Sequence, residues 1–258
     1  IPKAVGDGAL TEAEVDTSFA RLTTIQMKLG LFDNDKASQP YFSLGVDQIN
    51  SAKHKALAYE AAQQSIVLLK NEPTAASDGA LLLPLRPGQD IAVLGPHANA
   101  TEALLSNYHG SRCVDAAKGK GPGTGKDFSC MHSVATALAA ANTGGTTSMA
   151  AGCANVACVN ASGFDAALAV GRAADVIVLA MGIDQSQEAE GHDRVNTTLP
   201  GEQATLVKRA LALGKPTVLV LISGGALSLG SLKGAAPAIV SALYGGEAGA
   251  LALADVLL

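Results

Sequence analysis

Tryptophan is absent from this chain of 258 residues, and aromatic side chains make up only 3% of it. With so few large rings, an α/β build with small residues at helix–sheet contacts is favoured over a β-sandwich. Clusters of positive charge are also missing. Eighteen Lys and Arg stand against 23 Asp and Glu, a net charge of −5 with no basic run, which argues against nucleic acid or an anionic membrane as partner. The longest apolar run, Thr217 to Leu229, is broken by Ser223-Gly224-Gly225 and is too short to cross a bilayer. The four cysteines show no Cys-x-x-Cys and no paired-His spacing, so no metal site is expected. A Gly-x-Ser-x-Gly elbow is lacking, which leaves Ser223 a weak nucleophile candidate although it follows a strand. The glycine-rich segment Gly119–Gly125 matches neither a phosphate loop nor a dinucleotide fingerprint, so no nucleotide cofactor is expected.

What is present is apolar and regular. Hydrophobic residues make up 48% of the chain, ample for one large domain or two modest ones. Thr11-Glu-Ala-Glu14 is a capping-box pattern that opens a helix running to Gly30. Residues 33–50 read as a linker, and a second helix is expected from about Ser51 to Lys70. From Asp90 onward strands and helices alternate. Strands are expected at 90–95, 146–151, 176–181, 217–222 and 238–243, and helices at 131–141, 164–173, 203–213 and 247–257. Repeated strand–helix units imply a mostly parallel sheet covered on both faces, a three-layer α/β/α sandwich.

The chain is organised around Ala174–Arg194. Val176–Met181 is a short apolar run of the kind buried on both faces of a parallel sheet. After Gly182 the composition turns abruptly polar, with Asp184, Glu188, Glu190, His192, Asp193 and Arg194. Leu199-Pro-Gly-Glu-Gln203 then opens a helix, with Pro near its start. Ligands of α/β sheets bind beyond the carboxyl ends of the strands, so these acids are candidates for chemistry. The plainer alternative is a solvated loop in which Asp193 and Arg194 form a structural ion pair. On spacing alone, Glu188 and Glu190 stay rivals, and extended backbone would point both to one side.

The Ile1-Pro2-Lys3 start is neither an initiator nor a signal peptide, and the chain is expected to be part of a longer one. Four cysteines, Cys113, Cys130, Cys153 and Cys158, accompany three glycosylation sequons at Asn99, Asn160 and Asn196. An even cysteine count with sequons in loops predicts a secreted, disulfide-bonded glycoprotein; free buried thiols and unused sequons are the alternative.

Several of these stretches carry a resemblance. His54–Asn71 looks like the helix that opens the second domain in glycoside hydrolase family 3, and Ile91-Ala-Val-Leu-Gly-Pro-His-Ala-Asn99 resembles that domain's first strand and turn. Gly182–Arg194 followed by Leu199-Pro-Gly-Glu-Gln203 is similar to the β-xylosidase and α-L-arabinofuranosidase branch, especially its plant members. Gly152–Cys158 and Lys215–Gly225 support the same branch.

The resemblance implies a retaining, exo-acting glycosidase in xylan and arabinan breakdown, needing no cofactor. Such enzymes place a (β/α)8 barrel before an α/β sandwich. Residues 1–32 would be the end of that barrel domain, 33–50 a linker and 51–258 the sandwich. The barrel of the same polypeptide, which would hold the nucleophilic Asp, is expected as the partner, and a xylo-oligosaccharide or arabinoside as the substrate. The family pattern puts the acid/base at Glu188, with Glu190 as rival. Asp193 and Arg194 resemble a pair that organises the loop. Asn107-Tyr108-His109-Gly110 corresponds to a loop that borders the sugar, although His109 departs from the small residue expected there. A Cys153–Cys158 disulfide is expected; the plant relatives' cysteine has no counterpart at Asp47–Asn50, which leaves the pairing of Cys113 open. A β-glucosidase of the same family, a non-catalytic carbohydrate-binding or interaction domain, and a flavodoxin-like nucleotide binder are the competing readings.

Overall fold

The computed structural model describes residues 1–74, 79–109, 113 and 128–258. The glycine-rich segment Gly119–Gly125 and Gly110 lie outside the described residues. The chain divides into two compact units, Ile1–His54 and Lys55–Leu258.

The first unit holds α1 (Pro2–Gly6) and α2 (Glu12–Lys28). The capping box forms as the sequence suggests. Glu14 N–H donates to Thr11 Oγ1 at 3.2 Å, and Thr11 N–H returns a bond to Glu14 Oε2 at 2.8 Å, so two otherwise orphaned donors are satisfied. Phe19, Leu22, Ile25 and Met27 are each more than half exposed. Residues 33–50 contain only two single turns of 3-10 helix, at Lys36–Ser38 and Val46–Gln48.

The helix expected to reach Lys70 stops earlier. It becomes α3 (Ala52–Ser65), and Val67–Asn71 forms β1. The apolar run Ile66–Leu69 satisfies a helical face and a strand equally well, and antiparallel pairing of β1 with the last strand decides the matter. In order there follow β2 (Ile91–Leu94), α4 (Val134–Ala141), β3 (Thr147–Ala150), α5 (Phe164–Ala173), β4 (Val176–Gly182), α6 (Gln203–Leu211), β5 (Thr217–Ile222), α7 (Leu232–Ala235), β6 (Ala238–Ser241) and α8 (Gly249–Leu257). The six strands lie in the order β1-β6-β5-β4-β2-β3, parallel except for β1.

Alternate residues of β2, β4, β5 and β6 feed two separate cores, as the two-residue period of a strand requires. One core joins Ile91, Val93, Val178, Val220 and Val240 to Leu138 of α4 and Leu253 of α8. The other joins Leu94, Ile177, Leu179, Leu219 and Ile239 to Phe164 of α5 and Leu206 of α6. The unit is therefore a three-layer α/β/α sandwich. All seven residues of β4 are buried, so its apolar run is the centre of the sheet.

The chain leaves β2 towards β3 on one side, whereas β4, β5 and β6 build outward on the other. The reversal falls between β2 and β4, where the following loops diverge and open a crevice. A cavity of about 580 Å³ lies there, lined by Asn99, Thr101, Asn107 and His109 after β2 and by Asp184 and Gln185 after β4.

Candidate active site

The acidic loop begins where β4 ends. Its exit is held by Gln203, the first residue of α6, whose side chain is fully buried. Gly182 N–H donates to Gln203 Oε1 at 3.0 Å, and Gln203 Nε2 donates to the carbonyls of Gly182 (2.7 Å) and Val156 (2.6 Å). Pro200 and Gly201 precede α6 as a turn rather than opening the helix, which puts the glutamine at the sheet end. The Val156 contact ties in a loop that is closed by the Cys153–Cys158 disulfide. A second disulfide joins Cys113 and Cys130. Gln203→Leu keeps the volume but orphans groups at the strand end, and each buried unmade hydrogen bond costs about 1–3 kcal/mol. The expected result is a loss of roughly 2–4 kcal/mol in a urea titration.

Past Ile183 the loop does not run extended. Gln187 and Glu188 N–H groups both donate to the Asp184 carbonyl, and Ala189 and His192 exchange backbone bonds in a small hairpin. Glu188 and Glu190 are therefore sent apart rather than to one side. The Glu188 carboxylate turns inward and is half-buried. Its Oε1 accepts from Gly224 N–H at 2.6 Å, Gly225 N–H at 3.2 Å and the Tyr244 hydroxyl at 2.8 Å. Glu190 is exposed and accepts from the Tyr108 hydroxyl, a bond that raises the Tyr108 pKa. Loops following β4, β5 and β6 thus converge on Glu188, and the loop following β2 meets Glu190.

Asn107 and His109 line the crevice together with Asp184, while Tyr108 stands exposed at its bond to Glu190. Gln185 Nε2 donates to the Ala103 carbonyl at 3.1 Å and clamps the two walls together. Asp193 and Arg194 do not form an ion pair. Arg194 instead donates to the carbonyls of Asn196 (2.8 Å), Thr198 (3.1 Å) and Ala226 (3.4 Å), which staples the acidic loop to the loop after β5. The sequon residues Asn99, Asn160 and Asn196 are all exposed.

Sequence reasoning passed over Tyr244, Gln203 and His97. Tyr244 follows an apolar strand like any core aromatic, and only the fold brings it to an acid 56 residues earlier. His97 is buried beneath the loop, with no hydrogen-bond partner on either ring nitrogen. Burial holds its pKa down at about 4, against the opposing pull of the Asp184 carboxylate and the Ile183 backbone. The unfolded chain therefore binds this proton first as pH falls. The contribution of His97 to stability is expected in full above about pH 6.5 and should be lost progressively down to about pH 4, by roughly 3 kcal/mol in all. Unfolding titrations at several pH values should show this slope, and His97→Gln should flatten it.

A family model described as the glycosyl hydrolase family 3 C-terminal domain matches residues 66–258. The chain belongs to that family. It is 39% identical to beta-D-xylosidase 1 of Arabidopsis thaliana, over 98% of this chain and 30% of that protein. It is 38% identical to beta-xylosidase/alpha-L-arabinofuranosidase 2 of Medicago sativa subsp. varia, with the same coverage. A solved family 3 exo-beta-xylosidase (XlnD), in complex with a xylobiose aziridine activity-based probe, superposes with a TM-score of 0.77 at 33% identity, over 99% of this chain and 30% of that one. The beta-glucosidase of Listeria innocua superposes at 0.75 with 24% identity, a likeness of fold. The chain spans about 30% of the length of the curated relatives it matches.

Proposed function

We propose that this domain supplies the acid/base carboxylate, Glu188, to a retaining glycosidase whose nucleophile lies on a barrel domain of the same polypeptide. One observation carries the reading. Of the two rival glutamates, only Glu188 is drawn inward to the meeting point of three loops at the carboxyl edge of the sheet. In this role Glu188 gives its proton to the glycosidic oxygen as the nucleophile attacks the anomeric carbon. As a carboxylate it then takes a proton from the water that releases the sugar.

The named activities of the Arabidopsis and Medicago relatives support an exo-acting β-xylosidase or α-L-arabinofuranosidase on xylo-oligosaccharides or arabinosides. Asn107, Tyr108 and His109, at the crevice beside the acidic loop, are the proposed sugar-bordering residues. The two disulfides and the three exposed sequons support a secreted glycoprotein. The uncovered apolar stripe of α2 is in keeping with residues 1–32 completing a neighbouring barrel.

The test is hydrolysis of aryl xylosides and arabinosides. A polypeptide joining this chain to the barrel should turn them over. Purified residues 1–258 should not, since a retaining mechanism needs two carboxyl groups about 5–5.5 Å apart. Turnover by residues 1–258 alone would overturn the proposal.

A further inference from the structure

The three donors around Glu188 do not share its two oxygens. Gly224 N–H, Gly225 N–H and the Tyr244 hydroxyl all end on Oε1, and among the described residues Oε2 accepts nothing. We propose that Tyr244 and the Gly224–Gly225 turn form a positioning cradle that pins Oε1 and leaves Oε2 as the atom that carries the transferred proton. The inference rests on the reading of Glu188 as acid/base.

Three features support it. First, the cradle is built to close on the carboxyl group. A Cβ at Gly224 would lie 2.8 Å from Oε1 and 2.8 Å from the Tyr244 ring, and one at Gly225 would lie 2.9 Å from Oε2. The turn itself is braced by Ser223 Oγ, which donates to the Gly225 carbonyl at 2.8 Å.

Second, Tyr244 is aimed by backbone that leucine disfavours. Leu243 takes a φ of +53°, uncommon for a bulky side chain, and the next residue reaches back over β5 to β4's loop. Strain held at such a point marks a geometry that the surroundings enforce.

Third, the hydroxyl has one proton and two acceptors in reach, Glu188 Oε1 at 2.8 Å and the Ile183 carbonyl at 3.3 Å. The shorter, ionic acceptor takes it when Glu188 is a carboxylate. Burial first, and then the adjacent Glu188, raise the Tyr244 pKa, so the phenol remains a donor across the working pH range.

With Oε1 fixed, rotation of the carboxyl group is stopped and Oε2 has one direction to deliver its proton. Removing one donor loosens that alignment without removing the acid. Tyr244→Phe should therefore show a weaker form of the defect of Glu188→Gln. In the polypeptide that includes the barrel, xylobiose turnover should fall about 10- to 100-fold, while dinitrophenyl xyloside, which needs little proton donation, should fall less than about 3-fold. In a Glu188→Gln background the same substitution should add almost nothing, because the two act as a unit.

Equal losses on both substrates, or a full multiplicative loss in the Glu188→Gln background, would overturn the cradle and leave the acid/base assignment standing. A Glu188→Gln enzyme without leaving-group dependence would remove that assignment, and the cradle with it. Gly225→Ala gives a second readout should Tyr244→Phe fold poorly, because its methyl crowds Oε2 and leaves the phenol in place. It should show the same selective loss on xylobiose, and an equal loss on both substrates would overturn the cradle.

Discussion

Replacing Glu188 by Gln, in a polypeptide that carries both this domain and the barrel, is expected to cut xylobiose turnover by about 100- to 10,000-fold, the usual worth of a positioned proton donor. Dinitrophenyl xyloside should lose far less in the step that forms the glycosyl-enzyme, because its leaving group departs as a stable anion. The same residue must then serve as base, so release of the sugar also slows and intermediate accumulates. Azide, which needs no base, should restore part of the turnover of the activated substrate. Glu190→Gln should show neither behaviour, since its carboxylate faces Tyr108 at the surface rather than the loops after β5 and β6. Steady-state rates on the two substrates, with and without azide, check this. If the two variants exchange phenotypes, the acid/base role moves to Glu190. If neither is rescued, the acidic loop does not supply it.

A comparably large effect, on stability, is expected from Gly182→Ala. Gly182 ends the central strand with a φ of +140°, a conformation open to glycine and strained for any residue with a Cβ. A Cβ there would sit 1.9 Å from the Ile222 carbonyl oxygen on the neighbouring strand, and that oxygen already accepts from Ile183 N–H at 2.9 Å. Neither strand can move aside, since both lie in the middle of the sheet with buried side chains on each face. The clash must push the ends of β4 and β5 apart. It would also disturb the Gln203 bonds that hold the loop exit. A loss of more than about 4 kcal/mol is expected, enough to leave a marginal domain largely unfolded. A thermal melt within about 5 °C of the parent's would contradict this, since in a domain of this size a shift that small corresponds to no more than roughly 2.5 kcal/mol.

The strand run Val176–Met181, the helix expected from Gln203, and the capping box at Thr11 were legible in the residues, because each depends on local periodicity or a fixed short spacing. They were enough for a mostly parallel sheet with helices on both faces, and for locating the acidic loop at its carboxyl edge. The strand Val67–Asn71 was not legible. Its apolar run suits a helix or a strand, and pairing with β6, some 170 residues further along the chain, makes the choice.

The rivalry between Glu188 and Glu190 was undecidable from spacing for a similar reason. Two residues apart in an extended chain they would face one way, but backbone bonds to the Asp184 carbonyl and the Ala189–His192 hairpin turn them apart. Which one goes inward is set by donors from elsewhere, Gly224, Gly225 and Tyr244, delivered by the next two strands of the sheet. An acid's oxygens bind whatever donors the fold brings within about 3 Å. Composition and periodicity therefore determined the sheet and where its acidic carboxyl edge lies, while the loop-to-loop contacts of the tertiary structure decided which carboxylate is held there and by which atom.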